Sequence, residues 1–290
     1  MLINPARLLV QARGWGRALA AFNIYNMELL QGVAAAVARA GSPLLLQASP
    51  KTVEFAGADF LVAMAQAAAR RWQIPVALHL DHAQDYTLVE ACLQAGFSSV
   101  MYDGSRLPLT ENIANTRRVV ELAARYGAAV EGELGHVGGG LDPQEAPYTD
   151  PQEAVEFVAA TGVDMLAVAV GAAHGLYRGE PHLDYARLAE IARDVAIPLV
   201  LHGGSGVPAA AIRQAIALGV AKVNIATELK IPFTRTLIQG MADLASLDEG
   251  QYDPRRYMTA AREAVERVAT AKVAMCWIQT KGRECSYDSK

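Results

Sequence analysis

The 290-residue chain is 52% hydrophobic and 19% charged, the balance of a globular protein with room for one large α/β core. A net charge of −4, with no run of Lys and Arg, argues against nucleic acid and anionic membrane as partners, so an anionic ligand has to be held by local groups. The three cysteines, Cys92, Cys276 and Cys285, are far apart and lack metal or redox spacing, and the first residues carry no sustained apolar stretch, which together point to a reduced, cytoplasmic setting.

Apolar, β-branched runs predict strands at 18–23, 43–48, 74–80, 98–102, 128–134, 165–171, 198–202 and 220–225. Helical spacing fills the intervals, for example at 28–40, 58–72 and 111–126. Continuous apolar strands of this kind belong to parallel sheets covered on both faces. Asp150-Pro151-Gln152-Glu153 offers an N-cap, a first-turn proline and an acid at the third position, and Asp253-Pro254 repeats the device for a helix running to about Met275. No segment reaches the length of a membrane span. The glycine- and proline-rich stretch 138–147 reads as a mobile loop.

Eight strand–helix units give the count of a (β/α)8 TIM barrel, here a single α/β domain over residues 1–290 with a C-terminal helical extension. A doubly wound open sheet is the competitor. Polar residues decide between them: Asn23, Ser49, Asp81, His82, Asp103, Glu131, Glu133, His174, His202, Asn224 and Thr227 fall at or just past strand ends around the whole circuit. A barrel assembles its site on that face, whereas an open sheet concentrates such groups at its switch point.

His82, His174 and His202 each close an apolar run, so three imidazoles can converge on a metal and leave a position open for substrate. Any one of them alone reads better as a hydrogen-bonded strand-end histidine; the matching positions favour zinc. His79 lies inside its strand and reads as a core or supporting group, His136 as a loop residue or substrate contact, His182 as structural. Glu131 and Glu133, two apart, project together with Asp103 near the same rim. Their repulsion calls for a salt bridge to Lys or Arg, or for a supporting or alternative metal position.

The stretch His202-Gly203-Gly204-Ser205-Gly206 follows the seventh strand, and Asn224-Ile225-Ala226-Thr227 follows the eighth. Those two loops form the recurrent phosphate cradle of the barrel, with backbone N–H groups and a helix N-terminus meeting the anion. Ser205 and Thr227 add hydroxyl donors.

In combination these motifs resemble the class II, zinc-dependent ketose-bisphosphate aldolases, the fructose- and tagatose-bisphosphate enzymes. The matching stretches are HLDH at 79–82, MYDGS at 101–105, EGELG at 131–135, GAAHG at 171–175, LHGGSG at 201–206 and KVNIATELK at 222–230. The wording at 226–229 is closer to the tagatose branch. The resemblance implies zinc on His82, His174 and His202, with a second divalent or a monovalent cation as a further candidate. It implies Asp81 as the acid/base for the hydroxyl proton, and Asp103 and Glu133 at a secondary metal position. Asn23, Ser49, Gly175, Gly203, Gly204, Ser205, Asn224, Ala226 and Thr227 would bind the phosphosugar. Arg255 would reach the far phosphate from a neighbouring subunit, implying a homodimer or homotetramer.

One stretch departs from that pattern. The family's loop after the fifth strand carries a glutamate that takes the carbon-bound proton, where this chain reads Gly138-Gly139-Gly140-Leu141-Asp142-Pro143. Asp142 is the expected substitute, with Glu145 in reserve. That loop, and Arg178 where relatives carry lysine, leave open another phosphorylated keto-sugar or sugar acid as substrate. A non-catalytic phosphosugar-binding subunit is a further alternative, against which the complete ligand set and Asp81 speak. Three histidines and an aspartate would also suit a metal-dependent hydrolase, but paired phosphate loops fit a carbon–carbon lyase better.

Overall fold

The computed structural model of the protein describes residues 2–137, 147–175, 177, 179, 181–242 and 253–277. Eight parallel strands close into a barrel in chain order: β1 Leu19–Asn23, β2 Leu44–Ala48, β3 Val76–Ala83, β4 Ser99–Tyr102, β5 Ala129–Leu134, β6 Met165–Val168, β7 Leu199–Leu201 and β8 Val220–Ile225. Ring closure is direct, with β1 pairing β8 through Ala20 on Val223 and Ala21 on Asn224, so the open sheet is excluded. Eleven helices surround it among the described residues: α1 Ala6–Gly14, α2 Met27–Arg39, α3 Pro50–Ala56, α4 Ala58–Trp72, α5 Tyr86–Ala95, α6 Leu109–Ala124, α7 Pro151–Thr161, α8 Tyr185–Asp194, α9 Ala209–Ala217, α10 Thr227–Ala242 and α11 Pro254–Cys276. None of them is long and apolar enough to cross a membrane.

The helix starts follow their sequence signals. The Asp150 carboxylate accepts from the backbone N–H groups of Gln152 and Glu153, and Asp253 accepts from Arg255 N–H, so both begin helices as capping acids. The helix α11 packs against α2 and α10, closing the ring of helices where the last unit meets the first.

Alternation along each strand divides the core in two. The outward residues, Phe22, Leu46, Leu78, Leu80 and Val223 among them, pack under the helices as the main apolar core. Inside the barrel the apolar floor is small, formed by Ala21, Leu45 and Ala77 with Ile3 against them. Above that floor the inward positions mix polar and apolar groups: Gln47, His79, Ser99, Glu131 and Lys222 are fully buried beside Met101, Met165 and Val200. The barrel therefore gives up part of its inner apolar packing to support the groups at its mouth.

Strand ends shift by one or two residues from the sequence reading in most strands, and by three at two of them. The strand β6 stops at Val168 rather than 171, because Ala169 and Val170 present their carbonyls to Thr149 and Asp184 N–H instead of to the sheet. The strand β3 runs past 80 to Ala83 through an irregularity in its pairing with β4. The stretch 138–146 lies outside the described residues.

Candidate active site

Consecutive strand residues face opposite sides of a sheet, yet Asp81 and His82 both reach the barrel mouth. The register of β3 on β4 shifts between Leu80 and Ala83, and His82 takes φ 55°, a left-handed backbone uncommon outside glycine. This bulge brings the His82 ring round beside the inward-facing Asp81. His174 follows the loop after β6, and His202 is the residue after β7.

The three rings meet as the sequence predicts. His82 Nε2 stands 3.2 Å from His174 Nε2 and 2.9 Å from His202 Nδ1. Each remaining ring nitrogen is held from outside. His82 Nδ1 lies 2.9 Å from Asp103 Oδ2, His202 Nε2 lies 2.7 Å from Glu131 Oε1, and His174 is hydrogen-bonded to the Val137 backbone. Such partners fix ring orientation and point the other nitrogens at a shared centre.

The electrostatics favour one positive charge at that centre. Burial opposes charge on His82, but Asp81, the hydrogen bond to Asp103 and Glu133 outweigh it and raise its pKa to about 10. Burial and then the His82 charge hold His174 down to about 4 and push His202 well below the usual imidazole range. Burial, then Asp103, pushes Glu133 up to about 8. Its Oε2 is buried without a hydrogen-bond partner among the described residues, 3.6 Å from His82 Nδ1 and 3.8 Å from His202 Nδ1. Three converging imidazole nitrogens, with an orphaned carboxylate oxygen beside them, are a donor set that fits a divalent cation. His82, Asp103 and Glu133 form a second gathering of ligand atoms on the other side of the His82 ring.

The two glutamates of β5 do project together but serve different partners. Glu131 is the salt-bridged one: Oε2 accepts from the fully buried Lys222 Nζ at 2.6 Å while Oε1 holds His202. His79 completes this buried layer, 2.8 Å from Ser99 Oγ and 3.5 Å from Glu131, as a supporting group.

Asp81 lies on the cavity side. Its Oδ2 accepts from Asn23 Nδ2 at 2.9 Å and its Oδ1 from Asn224 at 3.4 Å. Burial raises the carboxyl, but neighbouring positive charge, His82 first, pulls it down to about 2, so it is ionised at neutral pH. A cavity of about 460 Å3 opens over Asp81, His82 and His174. Of the predicted substrate contacts, Asn23, Ser49, Gly175, Gly203, Ser205, Asn224, Ala226 and Thr227 all line it. Gly204 lies beneath them, its N–H donated to the Asn224 carbonyl. Ser205 Oγ accepts from Ala226 and Glu228 N–H, tying the loop after β7 to the first turn of α10 and leaving its own hydrogen to donate.

Arg255 is not at this cavity; at the start of α11 it is exposed and paired with Asp253. His136 sits on the opposite rim, against Ser105 and Arg106, and His182 is exposed. Asp142, Glu145 and Arg178 lie outside the described residues. Sequence reasoning missed Tyr25, Lys51, Thr52, Phe55 and Lys230, which line the outer wall. Lys230 is legible in retrospect, three residues beyond Thr227 and so on the same helix face; its Nζ lies 4.9 Å from the Tyr25 ring centre.

Comparison with known proteins agrees with this geometry. The chain is 45% identical over 280 residues to the D-tagatose-1,6-bisphosphate aldolase subunit GatY of Klebsiella oxytoca, covering 95% of this chain and 97% of that one. The crystal structure of the YdjI aldolase of Escherichia coli K12 is similar with a TM-score of 0.81 at 32% identity, covering 96% of this chain and 98% of that one. Fructose-bisphosphate aldolase of Campylobacter jejuni, at 24% identity, shares the fold with a TM-score of 0.80 over 95% of each chain. Residues 3–283 match the family model for class-II fructose-bisphosphate aldolase, and the chain belongs to that family of metal-dependent lyases.

Proposed function

We propose that the protein cleaves a ketose 1,6-bisphosphate reversibly into dihydroxyacetone phosphate and glyceraldehyde 3-phosphate, with zinc on His82, His174 and His202. The observation that carries this reading is the juxtaposition of three facing imidazole nitrogens with the ionised Asp81, on one wall of a cavity whose other wall is the Gly203–Ser205 loop and the start of α10. Zinc held there supplies Lewis-acid polarisation of the substrate ketone. Asp103 and Glu133, around His82 Nδ1, support an alternative position for a second divalent or a monovalent cation.

Asp81 accepts the C4 hydroxyl proton as the C3–C4 bond breaks, and returns it in condensation. Asn23 and Asn224 keep its oxygens turned toward the cavity. The carbon left behind needs a proton, which we assign to Asp142 with Glu145 in reserve. The first phosphate binds the N–H groups of the Gly203 to Ser205 turn and the start of α10. Lys51 and Lys230 face the far phosphate from this chain, and Arg255 reaches it from a neighbouring copy in a homodimer or homotetramer. Large apolar side chains exposed on α2, α3, α4 and α10, namely Met27, Phe55, Phe60, Ile238 and Met241, support such an assembly. The buried free thiols of Cys92 and Cys276 support a cytoplasmic setting.

The wording Ala226-Thr227-Glu228-Leu229 and the likeness to the Klebsiella oxytoca subunit favour tagatose 1,6-bisphosphate, whose C4 hydroxyl has the opposite configuration to that of fructose. A coupled assay of both bisphosphates, with and without chelator, tests the reading. Cleavage of at least one, lost on chelation and restored by zinc, is expected; full activity in chelator overturns it.

A further inference from the structure

The loops that follow β6 and β7 touch backbone to backbone. Gly203 has φ +65°, and a Cβ built there would lie 2.4 Å from the Ala173 carbonyl oxygen, so only glycine fits. The polar groups at this contact do not satisfy each other directly. The Ala173 N–H donates to Tyr177 Oη at 2.8 Å, and that hydroxyl donates onward to the Gly203 carbonyl at 2.9 Å. The Tyr177 ring also rests on Gly206, where an added Cβ would come within 3.2 Å of it.

We propose that Tyr177 is a positioning residue for substrate phosphate, its hydroxyl bolting the Gly175 side of the cradle to the Gly203–Ser205 side. This rests on the phosphosugar reading above and deepens it. Three loops form the cradle, and each junction has one hydroxyl: Ser205 joins the loop after β7 to α10, and Tyr177 joins the loop after β6 to the loop after β7. A phosphate cradle binds by several N–H groups aimed at one point, so it depends on the spacing between its loops. The metal triad is less exposed to the loss of this bolt. His202 is oriented separately by Glu131, and His174 by the Val137 backbone.

The test is Tyr177→Phe, which keeps the ring on Gly206 and removes only the hydroxyl. Dihydroxyacetone phosphate and unphosphorylated dihydroxyacetone serve as probes, with binding read by calorimetry on the zinc-loaded protein. Zinc affinity is read separately by competition with a chromophoric chelator. The bolt predicts roughly tenfold weaker dihydroxyacetone phosphate binding, the scale of one hydrogen-bonded junction lost. Dihydroxyacetone and zinc affinity should stay within about threefold of wild type, and bisphosphate cleavage should show a raised KM with kcat largely kept. Wild-type affinity for dihydroxyacetone phosphate in Tyr177→Phe overturns the bolt while leaving the phosphosugar reading intact. An equal loss for both probes also overturns it, as a general structural effect. Failure of the wild-type protein to prefer the phosphorylated probe overturns both.

Discussion

Lys222 touches neither the cavity nor any proposed metal ligand, yet its replacement should weaken zinc binding. It is fully buried inside the barrel and pairs at 2.6 Å with Glu131, itself fully buried, whose other oxygen holds His202 Nε2 at 2.7 Å. Lys222→Met keeps most of the side-chain volume and removes the charge. Leaving one partner of a buried ion pair unpaired costs about 3–5 kcal/mol. For a chain of this length that is a fall in the metal-free melting temperature of roughly 5–8 °C. A buried carboxylate without its cation takes up a proton or turns toward water, and either outcome releases His202 from the orientation that points Nδ1 at the other rings. Loss of such a supporting contact weakens metal binding by about 10–100-fold. Calorimetric melting of the metal-free protein and chelator competition for zinc read the two effects separately. Lys222→Met combined with Glu131→Gln removes both charges and keeps an amide oxygen for His202, so it should regain much of the stability. A Lys222→Met protein with wild-type melting and wild-type zinc affinity would refute the reasoning.

Four further outcomes are expected. Asp81→Asn should slow cleavage by about 10²–10⁴-fold with one zinc per chain retained; a change under tenfold removes Asp81 from the hydroxyl-proton step. Asp142→Asn should slow exchange of the dihydroxyacetone phosphate carbon proton with deuterated solvent, and unchanged exchange there and in Glu145→Gln clears both loop acids of that role. Arg255→Ala should raise KM for bisphosphates well above any change in dihydroxyacetone phosphate affinity, and equal changes in the two, or a wild type that is monomeric and fully active, count against a shared site. Burial pushes the Cys92 and Cys276 thiols up to about 12, so at pH 8 the thiolate fraction is about 10⁻⁴ and peptide mapping after iodoacetamide should find both unmodified in the folded protein.

What the sequence made legible was what local pattern controls. Strand positions follow from apolar runs, helix starts from Asp150 and Asp253, and the meeting of His82, His174 and His202 from histidines that end such runs. Contacts between distant strands were not legible. Lys222 sits within an otherwise mostly apolar strand, and only ring closure shows that its inward face meets Glu131, 91 residues away in the chain. Glu131 and Glu133 share residue type, face and burial, and nothing in their spacing says which one meets Lys222. The outer wall of the cavity is drawn from separate elements, with Tyr25 after β1, Lys51 in α3 and Lys230 in α10, so no single stretch announces it. Tyr177 is hidden for the same reason: its partners, Ala173 and Gly203, are backbone groups on two loops.

The bulge at His82 shows why the adjacent pair Asp81 and His82 needs tertiary support. Chemistry at one carbon centre asks for a carboxylate and a metal ligand side by side, while a regular strand sends neighbours to opposite faces. The left-handed turn at His82 resolves the conflict at about 1–3 kcal/mol, the scale of such backbone strain. The neighbouring strand β4 and the residue after it offset that cost at three points: Met101 Sδ accepts from His82 N–H at 3.4 Å, Asp103 N–H donates to the Ala83 carbonyl at 2.8 Å, and Asp103 Oδ2 holds the His82 ring at 2.9 Å. The same Asp103 is thus both the anchor of the strained backbone and the orienting partner of the ligand ring. A substitution there acts on backbone geometry and ring orientation together, whereas one at Asp81, whose side chain is held by Asn23 and Asn224, leaves the bulge's own contacts in place and changes the charge facing the His82 ring and the proposed proton step.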